Sequence, residues 1–260
     1  MRLGRGAFYL YRIIYMPIRV TALVYEFTMF PTKEARKMTT QVESLPKYTR
    51  KEEFWNSITH YSGFILGIVA MIFFLTYGLV NNLGFKIIFP FMIYTIFMMM
   101  MFFVSGFYHS RRLGSRSRAI ARKIDHSDIY AFIGATYTPI CLLSVANTKV
   151  GIILLIVEIV FDIAGLVFSL VPSDKKVFGL LGYFCYIVAG WLVIFVFPFN
   201  IGIPLDVFLW VLAGGIAYTI GAILYAVGHR KRWFHTVFHF FVLAGAALQF
   251  VGVLLIILAK

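Results

Sequence analysis

His235 and His239 stand four residues apart at the start of the last apolar run, and His109 ends the second. Spacing i, i+4 puts both rings on one face of a helix and recurs in zinc sites. Ser105 and His109 repeat that spacing, and Asp125 follows a short loop beyond His109. Three neutral imidazoles with a carboxylate close by make the ligand set of a catalytic zinc site whose fourth position holds water. His109, His235 and His239 are therefore the candidate zinc ligands, with Asp125 and Ser105 as candidate catalytic groups. Asp125 fits a ligand, a base that orients the water, or a plain helix N-cap. Asp128 is the weaker candidate and reads as compensation of a helix dipole in the first turn.

Other polar residues fall at the same depth. Glu53, Asn56 and His60 are spaced three and four apart and share one helical face. They could orient the metal ligands or a substrate; helix-start electrostatics and interhelical hydrogen bonds explain them equally well. Glu158 and Asp162 lie mid-run, again four apart. Carboxylates in hydrocarbon mark an ion path or neutral, hydrogen-bonded core residues. Cys141 and Cys185 lie inside apolar runs and read as packing residues.

The elements that must position these groups follow from composition. The chain has 260 residues, 61% hydrophobic and only 13% charged, with a mean hydropathy of +0.86. A soluble domain of this size cannot hide that much apolar surface. The expected fold is an all-α integral membrane protein, a seven-transmembrane helix bundle. Seven runs are long enough to cross the hydrocarbon core: 54–80, 87–109, 125–146, 150–171, 177–198, 203–227 and 234–258. No cleavable signal sequence is evident, so the first span is expected to act as the insertion signal.

Charge then gives direction. Of the 24 Lys and Arg residues, ten lie in 1–53, six in 110–124, two in 172–176 and three in 228–233. Only Lys86, Lys149 and Lys260 fall on the other side. That split places the N-terminus in the cytoplasm and the C-terminus outside. It also explains the net charge of +13 without nucleic acid as a partner. Arg5, Arg12, Arg19 and Glu26 recur every seven residues with Pro17 between them, so 7–30 reads as an amphipathic helix lying on the inner leaflet. A polar linker follows over 31–53. The domains expected are thus a cytoplasmic segment 1–53 and a membrane domain 54–260. Gly63 and Gly67 form one GxxxG pattern, read as close helix packing rather than a dimer motif.

Taken in order, the motifs resemble the hemolysin III family, the bacterial branch of the progestin and adipoQ receptor family. They are Glu52-Glu53…Asn56…Thr59-His60…Gly63, Ser105…His109, Asp125-His126-Ser127…Gly134…Tyr137…Pro139, and His235…His239. The resemblance runs from about residue 50 to the end. It implies seven helices with a cytoplasmic N-terminus in a bacterial plasma membrane. It also implies zinc on His109, His235 and His239, a water held by Asp125, and Ser105 close by. Tyr137 joins Glu53, Asn56 and His60 as a substrate-orienting candidate. The chain departs from the family pattern at Thr236, where many members are acidic, and at Gln249, where a further histidine occurs.

The leading expectation is a zinc-dependent intramembrane hydrolase of a lipid amide or ester. Its substrate would enter from the bilayer, and membrane lipid would be its partner. Asp125 would take the proton, and zinc or Ser105 would stabilise the oxyanion. The rivals are a signalling protein with structural zinc, a cytolytic protein, and a transporter working through Glu158 and Asp162. Seven spans argue against a secreted toxin, which needs a water-soluble form.

Overall fold

The structure, a computed structural model, describes residues 48–113, 115–170, 176–197, 202–228 and 231–260. The amphipathic helix expected over 7–30, the linker before residue 48, His229, Lys175 and Arg230 lie outside the described residues.

Within them the chain is all helical: α1 (Arg50–Val80), α2 (Phe85–Ser110), α3 (Arg116–Pro139), α4 (Thr148–Leu170), α5 (Lys176–Val196), α6 (Leu205–Gly228) and α7 (Phe234–Leu258). A π-helical stretch, Ile140–Ser144, continues α3. Five of these helices, α1, α2, α4, α6 and α7, are long and apolar enough to cross a membrane. The apolar run of α5, Leu180–Phe195, is shorter, and the first half of α3 is polar. The protein is an all-α, multi-pass membrane protein.

Consecutive helices pack on one another, and α1 also packs on α7. Short connections force the antiparallel order. Asn81 and Asn82 turn α1 into α2, with Asn82 at a φ of 53°, a left-handed conformation that Asn tolerates. Close approach of α1 and α2 depends on Gly63 and Gly67. A Cβ there would run into Phe102 and Met99 of the same chain, so the GxxxG pair serves intramolecular packing.

Helix starts correct the expected boundaries. α1 begins at Arg50 rather than 54 because Thr49 and Glu52 form a capping box, satisfying two backbone donors reciprocally. More consequential is α3, which starts at Arg116 and not at 125. The Ser115 side chain accepts from the Arg118 N–H and caps it. The basic stretch read as a loop over 110–124 is thus two turns of helix after a short connection. Asp125 lies well inside α3 and is no N-cap, and Asp128 is equally far from the first turn.

Lipid-facing and inward surfaces separate cleanly on α4. Ile153, Ile156, Val160, Ile163 and Val167 are exposed. The buried positions are Gly151, Glu158, Asp162 and Gly165. Polar and small residues face inward, and apolar residues face outward. At Gly151 the helix meets the π-helical stretch so closely that any Cβ would strike the Cys141 carbonyl.

Candidate metal centre

α1, α3 and α7 begin, and α2 ends, at one end of the bundle, and there the histidines converge. His109 comes from the last turn of α2. His235 and His239 come from the first turns of α7. The Nε2 atom of His235 lies 3.2 Å from His109 Nε2 and 2.9 Å from His239 Nε2. One ligand atom from each of the three residues falls within 4.8 Å of the others. Two nitrogens at about 2.0–2.1 Å from a tetrahedral ion stand about 3.3 Å apart, so the observed spacings suit a metal. The group could hold a metal ion.

The donor chemistry fits as well. Glu53 Oε2 lies 2.7 Å from His109 Nδ1. A neutral His109 that donates from Nδ1 must present a lone pair at Nε2, toward the other two rings. If His235 and His239 present Nε2 in the same way, a cation between the three rings satisfies all three lone pairs. A carboxylate behind a metal-binding imidazole is the usual device that sets its tautomer and orientation. Asn56 Nδ2 adds a longer contact of 3.5 Å to the same Nδ1, and Asn56 Oδ1 accepts from Thr236 Oγ1 at 2.6 Å. Thr236 thus ties α7 to α1.

The other two rings are held by packing. Tyr48, just before α1, lies flat on His235 with centroids 4.6 Å apart. Burial raises its phenol above the ordinary value, and neighbouring Tyr108 and Tyr225 add to the effect. His60 meets His239 edge to face at 4.0 Å. Neither ring nitrogen of His60, nor Nδ1 of His235 or His239, has a hydrogen-bond partner among the described residues.

Ser105 is buried one turn before His109. Asp125 on α3 is its electrostatic neighbour. The structure therefore brings together His109, His235, His239, Glu53, Asn56 and His60, and it sets Ser105 beside Asp125. It does not bring Tyr137 to the cluster. That hydroxyl accepts the Val193 N–H of α5 at 2.9 Å, and its ring lines a cavity of about 340 Å³. Phe238, which touches both His235 and His239, forms part of the same cavity wall. The lining is mostly apolar, from Met101 and Phe132 to Ile187, Trp191 and Val242. Glu158 and Asp162 are likewise elsewhere, on the inner face of α4, where Asp162 abuts Gly134 of α3. His126 is exposed. Asp128 is buried, and its carboxylate has no hydrogen-bond partner among the described residues.

Two residues at the site escaped the sequence reading. Arg118 entered only as a topological charge, yet it is fully buried and bonds Glu53. Glu52, in the sequence only one member of the Glu52-Glu53 motif, closes the capping box of α1. Its Oε1 also accepts the Trp233 N–H at 2.7 Å. Trp233 sits at a φ of 67°, an outlier for a bulky residue, at the N-cap of the helix that carries both histidines.

Comparison with known proteins agrees with this architecture. The family described as Haemolysin-III related matches residues 48–250. The hemolysin-3 homolog of Bacillus subtilis (strain 168) is 34% identical over 208 residues, covering 80% of this chain and 95% of the relative. Hemolysin-3 of Bacillus cereus is 32% identical over 209 residues, covering 80% and 93%. By its motifs, its matched length and these relatives, the chain belongs to the haemolysin III family.

Proposed function

We propose that the protein is a zinc-dependent hydrolase of a lipid amide or ester in the cell membrane. It would be a seven-span bundle with its N-terminus in the cytoplasm and its C-terminus outside. One observation carries this reading: three imidazole nitrogens converge at one point, and His235 and His239 meet Phe238, which also walls an apolar cavity. For the span count, α3 and α5 join the five apolar helices, with the polar start of α3 at the basic, cytoplasmic face.

Zinc, when bound, supplies Lewis acidity and brings the pKa of water in its open position to about 7. Glu53 holds His109 in the tautomer that presents Nε2. Asp125 takes the proton of the attacking water and returns it to the leaving amine or alkoxide. Ser105 orients that carboxylate and can donate to the oxyanion as charge develops. The cavity takes the acyl chain and keeps bulk water out; its 340 Å³ falls near the low end of ligand pockets, about 300–1,000 Å³.

The test begins with elemental mass spectrometry of detergent-purified protein. About one zinc per chain is expected, and none in a His235→Ala, His239→Ala double variant. Asp125→Ala should keep its zinc and lose turnover of acyl amides and esters by about 10²–10⁴-fold. Retained turnover in that variant removes Asp125 as the base. A second reading, a structural metal in a signalling protein, draws on Tyr48 lying across His235, since structural sites are closed. It predicts melting on chelation with no lipid cleaved. The relatives' name suggests lysis, and dye release from liposomes without cleavage would favour that activity instead.

A further inference from the structure

Arg118 is the only Lys or Arg among the described residues that is fully buried, and its contacts span three helices. Nη2 bonds Glu53 Oε1 on α1. Nη1 donates to the carbonyls of Tyr108 and Arg111 at the end of α2, each at 3.3 Å. The Tyr108 carbonyl also accepts the Arg111 N–H at 3.2 Å, so the guanidinium joins the cap at the end of α2. The guanidinium also lies over the Tyr108 ring, 4.5 Å from its centroid. Glu53 is thereby divided: one oxygen faces Arg118 and the other faces His109 Nδ1. A guanidinium suits this task because its rigid planar fork lets Nη2 hold Glu53 while Nη1 holds the two carbonyls, a geometry that an ammonium does not fix.

We infer that Arg118 is a positioning residue for the metal centre and couples metal occupancy to the α2–α3 connection. This rests on the metal reading above. Arg118 sets the rotation of the Glu53 carboxylate, and Glu53 sets the His109 ring. The same guanidinium holds the Arg111 carbonyl, so an ion that tightens His109 also tightens the connection that follows it. No residue of this relay beyond Glu53 and His109 is visible from spacing, because Arg118 reaches Glu53 across 65 positions of sequence.

The experiment uses the full-length chain in detergent, stripped by chelator and titrated with zinc against a competing fluorescent chelator. Arg118→Gln and Glu53→Gln should each weaken zinc binding by about 10–100-fold, as loss of a partner behind a ligand does. The double variant should be no weaker than the weaker single, because the two act as one relay. If Arg118→Gln does not fold, because it leaves a buried carboxylate unpaired, the double variant removes both charges and carries the same readout. Trypsin gives the second measurement, at Arg111, Arg112 and Arg116. Zinc should slow cleavage there in the parent and have no effect in the double variant. Parent-like affinity in the double variant, multiplicative losses, or cleavage in the parent that ignores zinc overturns the inference. A parent that binds no zinc overturns the metal reading and this inference together.

Discussion

Thr236→Val removes one hydroxyl from the centre and changes little else. Both residues are β-branched, so their behaviour in a helix is similar. In the parent, Thr236 Oγ1 donates to Asn56 Oδ1 at 2.6 Å, and Asn56 is 0% exposed. The substitution strips that acceptor of this donor in a place water does not reach. An unsatisfied buried acceptor costs about 1–3 kcal/mol. For a unit of this size that is a fall of roughly 2–12 °C in Tm. Thr236→Ser keeps the hydroxyl and drops one methyl, about 0.8 kcal/mol, so it should melt between the parent and the valine variant. The assay is thermal unfolding of purified protein in one detergent. Zinc competition adds a discriminating readout. Asn56 is 3.5 Å from His109 Nδ1 while Glu53 is 2.7 Å away. Thr236→Val should therefore weaken zinc by less than about ten-fold, short of the effect of losing a direct partner. A valine variant that melts with the parent, or a serine variant that melts as low as valine, refutes the hydroxyl-to-amide bond as the source of stability.

Gly151→Ala should cost about 1–3 kcal/mol by overpacking, because the new Cβ meets the backbone carbonyl of Cys141. Gly190→Ala, with open space around its Cβ, should instead stabilise by about 0.5–1 kcal/mol, and equal melting of the two would contradict the close approach. Tyr48→Ala should speed removal of metal by chelator about 2- to 12-fold, the worth of one aromatic pair, as followed by stopped-flow. Tyr48→Phe should match the parent from neutral to mildly alkaline pH. Burial lifts the phenol above its ordinary value, so the neutral form persists as pH rises and no charge is lost by removing the hydroxyl. A pH-dependent difference between Phe and Tyr would contradict that.

The histidine triad was legible because helical spacing encodes it locally: His235 and His239 must share a face, and the antiparallel order brings the end of α2 to the start of α7. The i, i+4 spacing of Glu158 and Asp162 likewise puts both acids on one face of α4, and that face is buried. What spacing does not encode is contact between distant segments. Glu52 meets Trp233 across 181 positions, and Tyr48 reaches His235 from the far end of the described chain. The start of α3 was lost for a different reason. Hydropathy treats 116–124 as polar and hence as loop, whereas Ser115 caps a helix there whose Ala119 and Ala121 are buried and whose Arg116 and Lys123 face out. Charge counting took Arg118 for a topological marker because it cannot distinguish a buried cation from a solvated one.

The inner face of α4 bears on how the protein enters the bilayer. On the translocon's scale, a carboxylate near a helix centre opposes insertion by about 2.5–3.5 kcal/mol, and each Leu, Ile, Val or Phe favours it by about 0.3–0.6. The helix carries Glu158 and Asp162 against fifteen such apolar residues. The two acids oppose insertion by about 5–7 kcal/mol and the apolar residues favour it by about 4.5–9 kcal/mol, so the terms are of similar size. Alone, α4 would partition between membrane and lumen-side exit with little preference. In the folded bundle both acids are buried on the inner face, with Asp162 against Gly134 of α3. Stable insertion of α4 is therefore expected to depend on α3, whose Gly134 meets Asp162.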